Sequence, residues 1–414
     1  MSLFRAFEQF PDVHRSIVIK TELLRMGVQF TERALRAIQS LDTVFKGYHL
    51  FSYDRQKVVT IQDKIPMDIY LKKDETMIQV RTNVEAPYFV DKIEDRFYIT
   101  EKGDRVEEVY FRKAPEYYSK KLEDGTPMAS VAQCLGDSLF VTFNKICEMW
   151  HDGDQCLFCD FNRQTEVQLK RGEEQQTRKD PAVVAHVLWV GLEEERNRHI
   201  FLTGGTILQS LFGRGQVDYY CDFLNTIQKK LRVWYPSIFQ IGALDEDNVK
   251  KLYDTGVGSI QPNIEVWDRN LFKKICPGKE KYVGYDEWVK RMVAGVKVFG
   301  PGRIVTNFVS GIEMAKPFGF TRIEDALHST LEGCKFFLDH GIFPRFDIWC
   351  VEPYSALEGQ EPPSLEYYIE LGRRYKELRD QYDFHNRIIG MCRGCCHIDT
   401  LYDWDYLHPT QHGV

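Results

Sequence analysis

Three cysteines, Cys147, Cys156 and Cys159, lie within one short stretch and constrain this chain more than any other feature. They follow Ser138-Leu-Phe-Val-Thr-Phe143, an apolar run that reads as a buried strand. Thiolates are soft ligands, suited to zinc or to iron–sulfur clusters. A structural zinc site needs a fourth protein ligand to close its tetrahedron, whereas a four-iron cluster on three cysteines leaves one iron open. Three ligands rather than four is therefore the informative count.

The 414 residues leave room for an α/β barrel of roughly 250 residues and one smaller unit. With 43% hydrophobic and 28% charged residues, the chain can bury an ordinary globular core. A formal charge of −7 gives no reason to expect nucleic-acid or membrane-surface binding. No apolar run reaches the roughly 18 residues of a spanning helix. The first residues lack the basic-then-apolar layout of a secretory signal, so the expected location is cytoplasmic. Eleven cysteines are then thiols or metal ligands in a reducing compartment. Cys134, Cys221, Cys276, Cys334 and Cys350 are scattered and read as small buried hydrophobes.

The pattern divides into three parts. Residues 1–135 read as a helical stretch followed by a small β-rich unit, with β runs at 58–61, 67–71, 77–82, 97–100 and 109–111. Residues 136–384 alternate strand and helix. The strands are expected over 139–143, 200–203, 238–241, 259–264, 304–309 and 345–349, and the helices over 181–196, 217–232, 246–255, 285–299, 322–340 and 364–382. Asp245 and Ser364 are expected N-caps, and the polar segment 168–180 reads as a solvated loop. Six such units predict a parallel sheet curled into a partial (β/α)6 TIM-like barrel, rather than a full eight-unit one. Residues 385–414 form a Cys-rich extension.

Functional residues of parallel barrels gather where the strands end. There the sequence reads Leu202-Thr-Gly-Gly-Thr206, Pro262-Asn-Ile-Glu265 followed by Arg269, Val309-Ser-Gly-Ile-Glu313 and Trp349-Cys-Val-Glu352. With the cysteine loop, this order resembles the radical S-adenosylmethionine (SAM) superfamily, in particular its biotin- and lipoyl-synthase-like branch. The spacing here is C-x8-C-x2-C, where C-x3-C-x2-C is commonest. The resemblance implies a 4Fe-4S cluster on Cys147, Cys156 and Cys159. It implies that Gly204, Gly205 and Thr206 stand where a Gly-Gly-Glu motif receives the methionine amino group, with Thr206 replacing the acid. Asn263 and Glu265 would hold the ribose, and Arg269 would pair with the methionine carboxylate. Ser310, Gly311 and Glu313 would flank the adenine, and Phe158 would pack on it. The implied chemistry is reductive cleavage of SAM to a 5′-deoxyadenosyl radical that takes hydrogen from a small-molecule substrate. An oxygen-sensitive enzyme fed by a reductant such as flavodoxin or ferredoxin follows. Without the resemblance, Gly204-Gly205 reads as a turn, Glu265 and Arg269 as an exposed i,i+4 pair, and Glu313 as a solvated acid.

A second cluster, Cys392, Cys395, Cys396 and His397, offers ligands for an auxiliary iron–sulfur cluster or for zinc, or simply buried thiols. Adjacent Cys395 and Cys396 are poorly placed to share one metal. The competing function is a non-catalytic barrel with one closed zinc site made of Cys156, Cys159, Cys392 and Cys395. The substrate and the catalytic residues acting on it are not legible.

Overall fold

The structure, a computed structural model, describes residues 2–46, 64–170, 177–194, 199–208, 215–233, 235–384 and 388–408. The β run expected at 58–61 lies outside them. The chain opens with helices α1 (Leu3–Gln9) and α2 (Arg15–Met26), strand β1 (Gln29–Phe30) and α3 (Glu32–Gln39). Strands β2 (Asp68–Leu71), β3 (Met77–Gln79), β4 (Tyr88–Ile93), β5 (Arg96–Glu101) and β6 (Asp104–Tyr110) follow. They form one sheet in the order β1-β4-β5-β6-β2-β3, antiparallel except for the β1–β4 pair. The 67–71, 77–82, 97–100 and 109–111 expectations each meet a strand. Thr31 caps α3 through its side chain, which accepts from the Ala34 amide.

After the short helix α4 (Met128–Val131), strand β7 (Gln133–Leu135) turns back antiparallel into β8 (Ser138–Asn144). The expected boundary between 135 and 136 thus falls inside a hairpin. Helices α5 (Phe161–Lys170) and α6 (Pro181–Glu194) lead to β9 (His199–Gly204), then α7 (Gln216–Leu231), β10 (Ser237–Gln240), α8 (Glu246–Tyr253) and β11 (Ser259–Gln261). Next come α9 (Arg269–Ile275), α10 (Pro277–Tyr282), α11 (Tyr285–Phe299), β12 (Ile304–Ser310), α12 (Ile323–Asp339), β13 (Ile342–Ile348), α13 (Leu365–Arg379) and α14 (Leu401–Leu407). Strands β8 to β13 pair in parallel in chain order, with β7 on one edge and β13 on the other. This is the partial six-unit barrel. Asp245 caps α8 through its side chain, which accepts from the Asn248 amide. Ser364 stands at the N-cap of α13 without a capping hydrogen bond from its side chain among the described residues. The sequence pattern missed α5, α9 and α10, which are short or largely polar, and the first residues of the expected 168–180 loop end α5.

An open barrel leaves an edge to be covered. Here α2 packs against β13, α13 and α14. The buried Arg81 guanidinium ties these layers, donating to the Leu24 carbonyl at 2.7 Å and to the Ile348 carbonyl at 2.8 Å. The buried Lys20 ammonium donates to Asp403 and to the Cys396 carbonyl, both at 2.6 Å. The first and last segments of the chain are therefore stitched together across the edge of the barrel. Among the described residues no helix is long and apolar enough to cross a membrane.

Candidate active site

The cysteine loop leaves the C-terminal end of β8 and is held from two sides. The Asn144 side chain donates to the Ile146 carbonyl at 2.7 Å and to the Gly205 carbonyl at 3.0 Å, and the Gly205 amide donates to the Asn144 carbonyl at 2.9 Å. A Cβ on Gly205 would lie 2.3 Å from the Ile146 oxygen and 2.5 Å from the Cys147 nitrogen. The glycine is thus required by the close approach of the cysteine loop itself. From the other side Asn162, on α5, clamps the Cys147 residue. Its Oδ1 accepts from the Cys147 amide at 2.7 Å and its Nδ2 donates to the Cys147 carbonyl at 2.9 Å. Further on, the Leu157 amide donates to the Ile275 carbonyl at 2.8 Å and the Gly278 amide to the Asp154 carbonyl at 2.9 Å, so α9 and α10 seat the rest of the loop.

Cys147, Cys156 and Cys159 all line one cavity of about 340 Å³ that runs down the barrel. Its walls are alternate strand residues, as the two-residue period of a strand dictates: Phe140 and Thr142 from β8, Phe201 and Thr203 from β9, Arg345 and Asp347 from β13. Several buried polar atoms on this lining have no hydrogen-bond partner among the described residues: Gln79 Oε1, Ser138 Oγ, Trp150 Nε1, Gln261 Oε1 and Trp349 Nε1. Each such atom costs free energy unless a ligand or water meets it, so the cavity is built to receive something polar.

The three thiols differ electrostatically. Burial pushes Cys147 up and Cys159 well up, the latter further raised by Cys156. Cys156 is pulled below the ordinary thiol range, chiefly by a hydrogen bond from Cys276 and against its own desolvation. Nearby, Lys279 Nζ donates to Glu265 at 2.6 Å and to the Asn263 carbonyl at 2.8 Å. Desolvation would lower this ammonium, but Glu265, Cys156 and Cys276 hold it above its usual range. At the barrel wall the Asp347 carboxyl is pushed up to about 7 by burial first and by Asp399 second.

The residues singled out from sequence divide into two groups. Phe158, Gly204, Gly205, Thr206, Asn263 and Glu265 line the cavity with the three cysteines. Glu265 does so with a left-handed φ of +67°, a conformation non-glycine residues rarely adopt. Arg269 is brought elsewhere. Its guanidinium forks onto Asp286 and lies over the Tyr285 ring, 4.9 Å from the centroid, half-exposed on α9. It pairs with neither the cavity nor Glu265, because it opens a helix that turns its side chain outward. Ser310, Gly311 and Glu313 also fall outside the lining. Ser310 donates to the Asp347 carbonyl at 3.0 Å, and Gly311 turns the chain at φ +99°. Glu313 is no solvated acid. It is buried, accepts from the Gly311 amide at 2.9 Å, from Thr330 at 2.8 Å and from Tyr367, and burial raises its carboxyl. Asn162, Lys279, Arg345 and Asp347 were missed. For Arg345 and Asp347 the signal was present, as charges two apart on a strand point the same way.

The C-terminal cluster is rearranged relative to expectation. Cys392 and Cys395 converge on His199, with the three ligand atoms within 4.8 Å of one another. Cys396 is buried, with Arg345 Nη2 3.8 Å from its sulfur. His397 is turned away onto Asp68, 2.6 Å from its Nδ1. Cys396 is not among the three ligand atoms that converge. The group holds neither Cys156 nor Cys159, which removes the closed zinc site that would have joined both pairs.

Cys147, Cys156 and Cys159 do not form a group of that compactness among the described residues. Each cysteine of a four-iron cluster binds its own iron, so a wider set of sulfurs around a common cavity fits a cluster better than a single ion. The lining therefore fits the group implied by the motif: soft donors at one end, unpaired polar atoms beyond them.

No family model matches the chain. A bacteriochlorophyllide c C-7(1)-hydroxylase from Chlorobaculum limnaeum is 22% identical over 290 residues, covering 66% of this chain and 67% of that protein. Among solved structures, methylornithine synthase (PylB) matches with a TM-score of 0.41 and 15% identity, over 58% of this chain and 62% of that one. A radical SAM methyltransferase from Sphaerobacter thermophilus matches over 92% of both chains with a TM-score of 0.39 and 10% identity. The chain thus spans about three fifths of the methylornithine synthase it matches.

Proposed function

We propose that this chain is a radical SAM enzyme whose 4Fe-4S cluster is held by Cys147, Cys156 and Cys159. The observation that carries the reading is the meeting of the three cysteines with Gly204–Thr206, Asn263 and Glu265 on one cavity lining, in the order the motif requires. The bound cluster and SAM supply a 5′-deoxyadenosyl radical able to take hydrogen from a substrate carbon. The chain's own residues position and enclose. Asn144 and Asn162 fix the loop that bears the first cysteine, and the Cys276 hydrogen bond favours the thiolate form of Cys156. Phe158 offers an apolar face. Gly205 lets the loop approach β9. With Arg269 on the surface, the role of pairing with a carboxylate passes to Lys279, a cation on the same lining and within the electrostatic field of Cys156. The barrel wall shields reacting species from solvent.

The substrate is a small molecule, and the hydroxylase named above makes hydroxylation of a carbon the first outcome to assay. Anaerobic reconstitution with iron and sulfide, followed by SAM and dithionite, tests the reading. Iron and sulfide are expected to bind, and 5′-deoxyadenosine to form, in the wild type but not in Cys156→Ala/Cys159→Ala. Cluster incorporation that ignores this substitution, or a loaded wild type that yields no 5′-deoxyadenosine, overturns it. A flavodoxin or ferredoxin would replace dithionite as the natural reductant.

A further inference from the structure

His199 is the first residue of β9, and β8 pairs with that strand so that Ser138 faces His199 and Asn144 faces Gly204. The cysteine loop leaves the Asn144 end. His199 is therefore at the opposite end of the barrel strands, five residues or about 17 Å away along the strand. The C-terminal extension folds beneath this end. Its turn fits without spare room: a Cβ on Gly136 would lie 2.3 Å from the Gly394 Cα, and one on Gly394 would lie 2.4 Å from the Asp137 nitrogen. Arg345 fixes the same turn from inside the barrel by donating to the Cys395 carbonyl at 2.9 Å.

Within that fixed turn, His199 Nε2 lies 2.5 Å from Cys395 Sγ and 3.9 Å from Cys392 Sγ. The Cys395 amide points at Cys392 Sγ from 3.3 Å, the backbone-to-sulfur contact that supports a ligating thiolate. Two sulfurs and an imidazole nitrogen so close are a mononuclear donor set. Ligands about 2.0–2.3 Å from one tetrahedral ion stand about 3.5 Å apart, so loading would widen the His199–Cys395 pair, while the 3.9 Å between His199 and Cys392 is already close to that spacing. Ligands of a four-iron cluster belong to separate irons and need more room. Among the described residues no fourth His, Cys, Asp or Glu joins the group. Cys395 also lines the barrel cavity. Three protein ligands with a fourth position toward a cavity is the layout of an open, exchangeable site.

We propose that His199, Cys392 and Cys395 bind one zinc-class divalent cation at the closed end of the barrel, independently of the chemistry proposed for Cys147, Cys156 and Cys159. The ion staples the C-terminal extension to β9 and presents its open position to the lumen. Binding deprotonates both thiols, and their protons leave to solvent.

Cobalt(II) titration of the full-length, anaerobically reduced and chelator-treated protein tests this. One equivalent of cobalt is expected to give thiolate charge-transfer absorption and the intense visible bands of a tetrahedral ion. These are kept in Cys147→Ser/Cys156→Ser/Cys159→Ser and in Cys396→Ser, and lost in Cys395→Ser and His199→Gln. Alkylation of the unsubstituted protein adds a readout without substitution: bound metal should shield Cys392 and Cys395 but not Cys221. Absence of tetrahedral bands in the wild type, bands that survive loss of Cys395, or uptake of several irons with sulfide at Cys392 and Cys395 each overturn the proposal. Because the triple cysteine variant lacks the other ligands, failure of this site and failure of the radical SAM reading are read separately.

Discussion

Removing the Asn162 side chain should loosen the cysteine loop while leaving the barrel folded. The Asn162→Ala substitution deletes two hydrogen bonds, at 2.7 and 2.9 Å, that hold both polar groups of Cys147. The Cys147 carbonyl keeps the Trp150 amide at 3.2 Å as a second donor, so the heavier loss falls on the Cys147 N–H. Stranding a half-buried amide costs about 1–3 kcal/mol, and the second bond adds a fraction of that. A net cost of about 2 kcal/mol, confined to the loop, multiplies its opened population about 30-fold. Amide hydrogen exchange at Cys147 should accelerate by that factor, with the exchange of β12 and β13 unchanged. Asn162→Asp keeps an acceptor for the Cys147 N–H but sets a carboxylate oxygen against the Cys147 carbonyl, so it should recover only part of the loss. Unaltered exchange at Cys147 in a folded Asn162→Ala protein would refute the clamp.

Gly205→Ala forces a methyl group into the Ile146–Cys147 backbone and should cost about 1–3 kcal/mol with loss of iron from the reconstituted protein; undiminished iron content would count against the close approach. Asp347 has a raised folded pKa, so the stability tied to its neutral form is complete below about pH 4 and is lost as pH climbs through about 7. A rise of about three units corresponds to on the order of 4 kcal/mol. Denaturation curves of Asp347→Asn should therefore lack a decline between about pH 4 and pH 7 that the wild type shows, and parallel profiles would reject the shift. Lys20→Met leaves the Asp403 carboxylate buried without its cation, which should cost about 3–5 kcal/mol in urea unfolding. Lys20→Met/Asp403→Leu should recover most of that, and a cost under about 1 kcal/mol for the single change would show the pair to be unimportant.

The barrel was legible because its strands are apolar runs separated by amphipathic helices, and local periodicity survives without tertiary knowledge. The cavity-lining half of the candidate site was legible for a related reason. Residues at strand ends share one end of a parallel sheet whatever the side chains do, so Gly204, Thr206, Asn263 and Glu265 could be placed by topology alone. Arg269 and Glu313 failed the same test because each lies a few residues past its strand. There a single turn of helix or a left-handed glycine decides the direction of the side chain. Glu313 went into the wall, where Thr330 and Tyr367 meet it, and Arg269 went to solvent.

Local order of residue types therefore determined the parallel sheet, its count of six strand–helix units and the loop that carries three soft ligands. Long-range packing decided what those residues face. His199 and Cys395 are 196 positions apart, yet their ligand atoms touch, while His397, two residues from Cys395, is spent on Asp68. Periodicity reports which face of an element is apolar, but it carries no information on which distant element arrives at that face. Only the folded backbone, with Gly136 and Gly394 pressed together, sets that meeting.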